Sequence, residues 1–220
     1  MDCLEKTAQA KTTFFIDFDG TITTLDTINA MQQAFVAEKD RPAILKIIAL
    51  WKQKLLSTQE CANQTFKYFS ADMDDMLALL ETIEIDASFT EFLERCRSAG
   101  DRVYVLSDGF DLSIQTVFHK YAIDLPFYSN VMVFGNGFKV ECPLANPECG
   151  QCGVCKTSLM QHLREPATRC IYIGDGHSDT CPAKHADTVF AKEPLYTLCK
   201  DNGVDTIKFE SFREIIDRIY

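Results

Sequence analysis

Short apolar runs recur along the chain, and each is followed by polar residues. The first, residues 13–18, is apolar at nearly every position, which is typical of a parallel strand covered on both faces. Similar runs follow at 102–107, 169–175, 187–191 and 205–209. Stretches of helical spacing separate most of them, while residues 130–141 form two strand-like arms around a glycine-rich centre, which predicts a hairpin. The pattern as a whole predicts an α/β domain with a mostly parallel sheet.

The strand pattern stops between residues 28 and 85, where helical periodicity takes over. Ser57 followed by Glu60 fits a capping box at the start of one of these helices. We expect this segment to form a small helical cap domain inserted after the first strand. Residues 1–27 and 86–220 would then make up the core, and residues 28–85 the cap.

Length and charge limit the classes of function. A chain of 220 residues is long enough for one sizeable domain or for a core with a small insert. Its 22 basic and 32 acidic residues give a formal charge of −10, which disfavours binding to nucleic acid or to an anionic membrane surface. The N-terminal stretch MDCLEKTAQAK lacks an apolar segment of signal-peptide length. We therefore expect a soluble, cytoplasmic protein with a small-molecule partner, and nothing in the sequence indicates its oligomeric state.

Two aspartates, Asp17 and Asp19, follow the first apolar run. Ligands of open α/β sheets bind at the carboxyl ends of the strands, so this is where chemistry is expected. Asp17 can attack phosphorus as a nucleophile while also holding a cation, and Asp19 can donate a proton over the same site. Thr21 opens a turn whose N–H groups can bind a phosphate. Alone, this stretch is also compatible with an ordinary strand-to-helix turn of solvated residues.

Other polar groups occupy corresponding places further along the chain. Ser107 ends the second apolar run, and its hydroxyl can donate to a phosphoryl oxygen. Lys156 stands where a helix is predicted to begin and can neutralise a transferring phosphoryl group. Asp175 and Asp179 follow a third run, and with the first two aspartates they would repel one another strongly without a cation. Crowded carboxylates of this kind predict a Mg²⁺ site.

In this order, and with helices after the first motif, DFDGT, Ser107, Lys156 and GDGHSD resemble the haloacid dehalogenase superfamily of phosphohydrolases. More narrowly they resemble its phosphoserine-phosphatase-like subfamily, over about Thr13 to Lys192. The resemblance implies a Rossmann-like core with a small helical cap. It also implies a Mg²⁺-dependent phosphatase that hydrolyses a small-molecule phosphomonoester through an aspartyl-phosphate intermediate.

The resemblance assigns a role to each matching residue. Asp17 would be the nucleophile and Asp19 the general acid and base. The residues assigned to the phosphoryl group are Ser107 and Lys156. Asp175 would ligate Mg²⁺ with the carboxylate of Asp17 and the backbone carbonyl of Asp19, and Asp179 would support the site.

Two branches of the subfamily resemble the chain. The 2-hydroxy-3-keto-5-methylthiopentenyl-1-phosphate phosphatases of methionine salvage match in DFDGTIT, with Asp26 beyond it, and in a cysteine-rich segment before Lys156. The phosphoethanolamine/phosphocholine phosphatases match in Ser107–Asp108 and in GDGHSDTCP, and by that resemblance Asp108 could receive a cationic head group. Phosphoserine phosphatase fits less well because it lacks the cysteine-rich run. The candidate substrate-binding residues are Asp26, Asp108, Gly109 and His177.

Four of the ten cysteines lie within the fourteen residues before Lys156, namely Cys142, Cys149, Cys152 and Cys155. Thiolates at this spacing can bind a structural Zn²⁺ that would fix the loop carrying Lys156. Reduced thiols or a local disulfide are an equal alternative. The spacing also resembles part of an iron–sulfur motif, so an electron-carrying module stays open, although the final cysteine and proline of that motif are absent.

Two further alternatives use the same kind of aspartate. A phospho-signalling receiver also carries a phosphorylatable aspartate at a strand end, with a lysine and a metal nearby. Asp19 and the helical insert argue against it, because a receiver needs neither a built-in acid nor a substrate cap. A phosphomutase shares the active site of a phosphatase, and water access and cap shape would decide between the two.

Overall fold

The computed structural model describes residues 11–220. Residues 1–10 were expected to belong to the core and to lack a signal peptide, and these expectations lie outside the described residues. The strands are β1 (Thr12–Ile16), β2 (Arg102–Phe110), β3 (Phe127–Gly135), β4 (Gly137–Glu141), β5 (Arg169–Gly174), β6 (Thr188–Ala191) and β7 (Ile207–Lys208). The helices are α1 (Thr27–Phe35), α2 (Arg41–Lys52), α3 (Thr58–Thr65), α4 (Met73–Leu80), α5 (Phe89–Ala99), α6 (Asp111–Lys120), α7 (Lys156–Leu163), α8 (Thr180–Ala183), α9 (Leu195–Asp201) and α10 (Phe212–Ile219).

The strands form one sheet in the order β4-β3-β2-β1-β5-β6-β7. All neighbouring pairs are parallel except β3 and β4, which form the predicted hairpin with Gly135 opposite Gly137. The predicted α/β class with a mostly parallel sheet is confirmed. Among the helices described here, none has the length and apolar character needed to cross a bilayer.

Strand β1 lies at the centre of the sheet, and all five of its residues are buried. Phe14 and Ile16 pack into the largest apolar core, whereas Phe15 packs on the opposite face with Met160 of α7. Side chains alternate between the two faces of a strand, and here both faces are covered by apolar groups. This explains why the run is almost continuously apolar, and it directs the chain that leaves β1 to the centre of one sheet edge.

Strand β2 is longer than the predicted run 102–107, since it continues to Phe110. Its register against β3 shifts between Leu106 and Phe110, so the regular ladder ends at Leu106. Ser107 therefore lies in the irregular part of the strand, at the same edge of the sheet as the end of β1.

Helices α1 to α4, hereafter the inserted helices, lie between the end of β1 and α5. The chain leaves and re-enters the core at one place, because Thr23 and Ile85 form an antiparallel bridge and Asp86 N donates to Ile22 O at 2.8 Å. The capping box of Ser57 and Glu60 is present at the start of α3, as predicted. The division into core and cap at residues 27/28 and 85/86 stays a prediction with which this pairing agrees.

Candidate active site

The carboxyl ends of β1, β2 and β5 meet beneath a cavity of about 510 Å³, which the inserted helices border on the other side. The core contributes Asp17, Asp19, Ser107, Asp108, Gly109, Asp175 and His177 to its lining. The start of α1 contributes Asp26. Residues from three separate motifs of the sequence are thus brought to one site.

Lys156 lies directly behind Asp17 and is buried, with a side chain 1% exposed. Its Nζ donates to Asp17 Oδ1 at 2.5 Å and to Asp179 Oδ1 at 2.6 Å. Burial alone would lower the pKa of Lys156, but the adjacent charges of Asp17 and Asp179 outweigh it and raise that pKa well above its usual value. The ammonium therefore stays charged and fixes one oxygen of Asp17.

Asp179 joins Lys156 to the turn that follows β5. Its Oδ1 also accepts from the buried Tyr172 hydroxyl at 2.5 Å, and its Oδ2 accepts from the backbone N–H groups of Asp175 and Gly176 at 3.0 and 2.9 Å. These donors use both oxygens of the carboxylate. Sequence reasoning missed Tyr172, although a tyrosine within a buried strand usually needs a partner for its hydroxyl.

The carboxylates of Asp17, Asp175 and Asp179 crowd together, with oxygens within 4.8 Å of one another. Burial and then the charge of Asp179 raise the pKa of Asp175 to about 6, and the same two causes raise the pKa of Asp17 well above its usual value. Because the oxygens of Asp179 already have donors, Asp17 and Asp175 are the pair left to share a cation. Two hard oxygen ligands that line the same cavity fit Mg²⁺.

Asp19 is held by the first residue of α1. Its Oδ1 accepts from Thr27 N at 2.9 Å and from Thr27 Oγ1 at 2.5 Å. Burial, followed by the charge of Asp26, raises the pKa of Asp19 to about 7. The carboxyl group can therefore carry a proton near neutrality, and its second oxygen faces Gly109. Thr27 was not predicted; its position at the start of a helix, directly after Asp26, was the available signal.

The turn after β1 is fixed by Lys192, a third residue that sequence reasoning missed. Its Nζ donates to the carbonyls of Gly20 and Thr21, both at 3.2 Å. Thr21 N donates to Phe18 O, and Thr21 Oγ1 donates weakly to Asp175 Oδ1 at 3.4 Å. Both donors of Thr21 thus have partners in the protein, and its role in phosphate binding stays a prediction. Lys192 follows β6 directly, so the same strand-end rule would have found it.

The candidate substrate residues Asp26 and Asp108 have partners within the protein. Asp26 caps α1, since its Oδ1 accepts from Asn29 N at 2.8 Å. Asp108 Oδ1 accepts from Val154 N at 2.9 Å, and its Oδ2 accepts from Thr58 Oγ1 at 3.0 Å. Both carboxylates border the cavity, and in this structure both accept hydrogen bonds that fix neighbouring segments. His177 is exposed at the cavity rim.

Gly109 leaves space for the side chains of Asp19 and Ser107. A Cβ at this position would lie 2.3 Å from Asp19 Oδ2 and 3.0 Å from Ser107 Oγ. Ser107 Oγ accepts from Gly109 N at 2.9 Å, so its own hydrogen can point into the cavity. Gly109 was predicted to touch substrate, and the structure places it where no side chain fits beside Asp19.

We expect Gly109→Ala to lower kcat by about 100-fold, because it must displace Asp19 by the order of 1 Å. Phosphate release at saturating substrate measures the effect. Gly135→Ala is the matched control, since a Cβ there meets no atom within 4 Å. Equal activity of the two variants would show that the carboxyl of Asp19 does not need its present position.

The structure does not support the predicted zinc site. Within residues 11–220, the one group of three or more ligand-type side chains close enough to share a metal is the aspartate cluster described above. All four candidate cysteines are free thiols, namely Cys142, Cys149, Cys152 and Cys155. Burial, and then the charge of Asp108, raises the pKa of Cys142 and of Cys152 to about 12, which opposes formation of the thiolates that zinc requires.

Comparison with known proteins agrees with this geometry. Residues 14–184 match the model of the haloacid dehalogenase-like hydrolases. A 2-hydroxy-3-keto-5-methylthiopentenyl-1-phosphate phosphatase of Bacillus cereus is 32% identical over 206 residues, which cover 91% of this chain and 92% of that protein.

Solved structures share the fold. A HAD family hydrolase from Salmonella enterica subsp. enterica serovar Typhi superposes with a TM-score of 0.73 at 16% identity, covering 96% of this chain and 72% of that one. A substrate-bound phosphoserine phosphatase has a TM-score of 0.70 at 18% identity, covering 96% of this chain and 100% of that one. At these identities the likeness concerns the architecture.

Proposed function

This chain belongs to the haloacid dehalogenase-like hydrolase family and is a phosphatase of it, and we propose that its substrate is 2-hydroxy-3-keto-5-methylthiopentenyl-1-phosphate, hereafter the enol phosphate. The reaction follows from one contact above all: the buried Lys156 holds Asp17 at 2.5 Å at the floor of the cavity. A carboxylate fixed in this way can attack an incoming phosphorus atom in line.

In the first step, an oxygen of Asp17 bonds to phosphorus as the ester P–O bond breaks. Asp19, oriented by Thr27, gives its proton to the departing oxygen. Lys156 and the hydroxyl of Ser107 balance the charge on the phosphoryl oxygens. The products of this step are an aspartyl-phosphate at Asp17 and the free enol.

In the second step, the ionised Asp19 takes a proton from water as the water oxygen attacks phosphorus. The bond to Asp17 breaks, so inorganic phosphate leaves and the carboxylate is restored. Mg²⁺ would be held by Asp17, Asp175 and the backbone carbonyl of Asp19, and when bound it supplies positive charge for the phosphoryl oxygens. Asp179 holds Lys156 and the turn after β5 in place through its hydrogen bonds to both.

The cavity favours an uncharged leaving group. Its apolar lining comprises Ile28, Ile48, Trp51, Ala62, Phe66, Phe69 and Phe110. Lys52 is the one lysine or arginine that the described part of the chain adds to this lining. Asp26 and Asp108 lie at the border of this lining, and each is held by hydrogen bonds to a neighbouring segment, so a cationic head group would exchange water for a mostly apolar surface. A thioether chain suits such a surface better than the ammonium of phosphoserine, phosphoethanolamine or phosphocholine.

We expect kcat/KM for the enol phosphate to exceed that for phosphoserine, phosphoethanolamine and phosphocholine by about tenfold or more, since an ammonium that loses water without a full set of hydrogen-bond partners costs at least about 1.4 kcal/mol. Phosphate release from each compound measures it. A preference for phosphocholine or phosphoethanolamine would instead make Asp108 the receptor of a cationic head group. Steady release from p-nitrophenyl phosphate, in contrast to a single stable phosphorylation, distinguishes a phosphatase from a receiver.

A further inference from the structure

Helix α3 runs beside the outer edge of the sheet. Strand β4 is the last strand on that side, and it pairs with β3 on one flank only. Along the other flank of such a strand, every second residue presents an N–H and a C=O with no strand to receive them. Val140 is one of these residues, and Cys142 continues the alternation one residue after the end of β4.

Side-chain amides of α3 occupy these backbone groups. Asn63 Nδ2 donates to Val140 O at 3.0 Å, and Val140 N donates to Asn63 Oδ1 at 2.8 Å. One turn earlier on the helix, Gln59 Oε1 accepts from Cys142 N at 3.1 Å. Four residues of helix rise about 6 Å and two residues of strand about 6.8 Å, so the two repeats match. The side-chain amides of Gln59 and Asn63 therefore form hydrogen bonds that a further strand would form with this edge.

A different side of α3 borders the cavity, through Thr58, Cys61, Ala62 and Thr65. These positions follow the spacing of one helical face. Because Gln59 and Asn63 are fixed on β4, the rotation of α3 about its own axis is fixed as well. The contacts at the sheet edge therefore decide which side chains the helix presents to a substrate.

The same stretch of chain holds the beginning of α3 and leads to the lysine of the active site. Thr58 N donates to Gln151 O at 2.9 Å, and Gln151 Nε2 donates to Trp51 O at 3.1 Å. Lys156 follows five residues after Gln151. Residues 137–156 thus connect the placement of the inserted helices to the placement of the phosphoryl-binding lysine.

We propose that Asn63, assisted by Gln59, is a positioning residue that docks α3 on the edge of β4 and so places the cavity-facing side of the helix against the leaving group. This rests on the proposed function only in taking the cavity as the substrate site. Asn63 itself acts through α3. The phosphoryl group, at the opposite end of the cavity, does not depend on it.

The test compares Asn63→Asp with Gln64→Glu, the same amide-to-acid change one residue later on α3. Asn63→Asp keeps the side-chain shape but sets a second acceptor against the Val140 carbonyl. We expect KM for the enol phosphate to rise about tenfold with kcat changed less than twofold, since the hydrogen bond to the Val140 carbonyl is lost and two oxygens are set against each other in its place. Inhibition by inorganic phosphate should stay within twofold of the unmodified protein. Gln64→Glu should change neither constant.

Hydrogen exchange of the Val140 and Cys142 amides tests docking without relying on catalysis. We expect the exchange of the Val140 amide to accelerate about tenfold in Asn63→Ala, which removes the oxygen that accepts from it. Exchange equal to that of Gln64→Glu would overturn the proposal, and so would a loss of kcat with unchanged KM. An unmodified protein inactive on the enol phosphate would refute the proposed substrate, while the exchange result would still decide the role of Asn63.

Discussion

Replacing Asp17 with asparagine is expected to reduce phosphate release by at least about 10⁴-fold, because an amide is a poor nucleophile and no covalent intermediate can form. The substitution is nearly isosteric, and the side-chain oxygen can still accept from Lys156. The loss should therefore appear in kcat, measured as phosphate release at saturating substrate. Normal turnover by Asp17→Asn would rule out the aspartyl-phosphate mechanism.

Two controls separate this loss from damage to the fold. In metal-free protein, the thermal midpoint of Asp17→Asn should not fall, because burial and the charge of Asp179 already disfavour the ionised Asp17. Asp19→Asn keeps the nucleophile but removes the proton shuttle. We expect it to turn over slowly and to accumulate phosphate bound to the protein through Asp17, detectable as phosphoenzyme, whereas Asp17→Asn should accumulate none.

Much of this site follows from short-range features of the sequence. An apolar run covered on both faces must be a buried strand, and the carboxyl end of such a strand is where Asp17 and Asp175 were expected. The capping box of Ser57 and Glu60 is equally local, since its two hydrogen bonds lie within one turn. Features of this kind depend on spacing along the chain, and the structure agrees with them.

Contacts between distant segments could not be deduced in the same way. Tyr172 reaches Asp179 because of the direction in which a buried strand presents its side chain. Asn63 meets Val140 across 77 positions of sequence, and neither residue has an unusual neighbour. Asp26 was an open choice between a substrate contact and a helix cap, and its hydrogen bond to Asn29 N shows the cap.

The cysteine-rich segment shows how spacing can mislead. Its intervals resemble those of a zinc site, yet the structure uses the segment to support its neighbours by backbone and amide groups. Val154 N donates to Asp108, and Gln151 binds the start of α3. Asn130, fully buried, donates to the Asp108 carbonyl at 2.7 Å and contacts the place where a side chain of residue 153 would lie. The glycine at position 153 is therefore required for fit beside Asn130.

Lys156 is the residue on which both the stability and the charge balance of the site depend. It lies between two buried carboxylates, Asp17 and Asp179. Among the residues that the structure describes, it is the cation that contacts both of them. Removing one member of a buried ion pair leaves its partners desolvated and uncompensated, which typically costs about 3–5 kcal/mol. The same ammonium would meet the phosphoryl oxygens during transfer.

We therefore expect Lys156→Met, which keeps an unbranched side chain as far as Cε but removes the ammonium, to lower kcat/KM by about 10³-fold and to destabilise the metal-free protein by about 3–5 kcal/mol near neutral pH. Without the ammonium, the folded-state pKa of Asp17 rises further above its unfolded value. The variant therefore loses stability as pH increases from the unfolded to the folded pKa of Asp17. Its stability relative to the unmodified protein should recover in acid, where Asp17 is protonated in both states. Urea unfolding with chelator at several pH values measures this, and exposed Lys67→Met is the control. A deficit independent of pH would mean that Lys156 contributes packing and not charge.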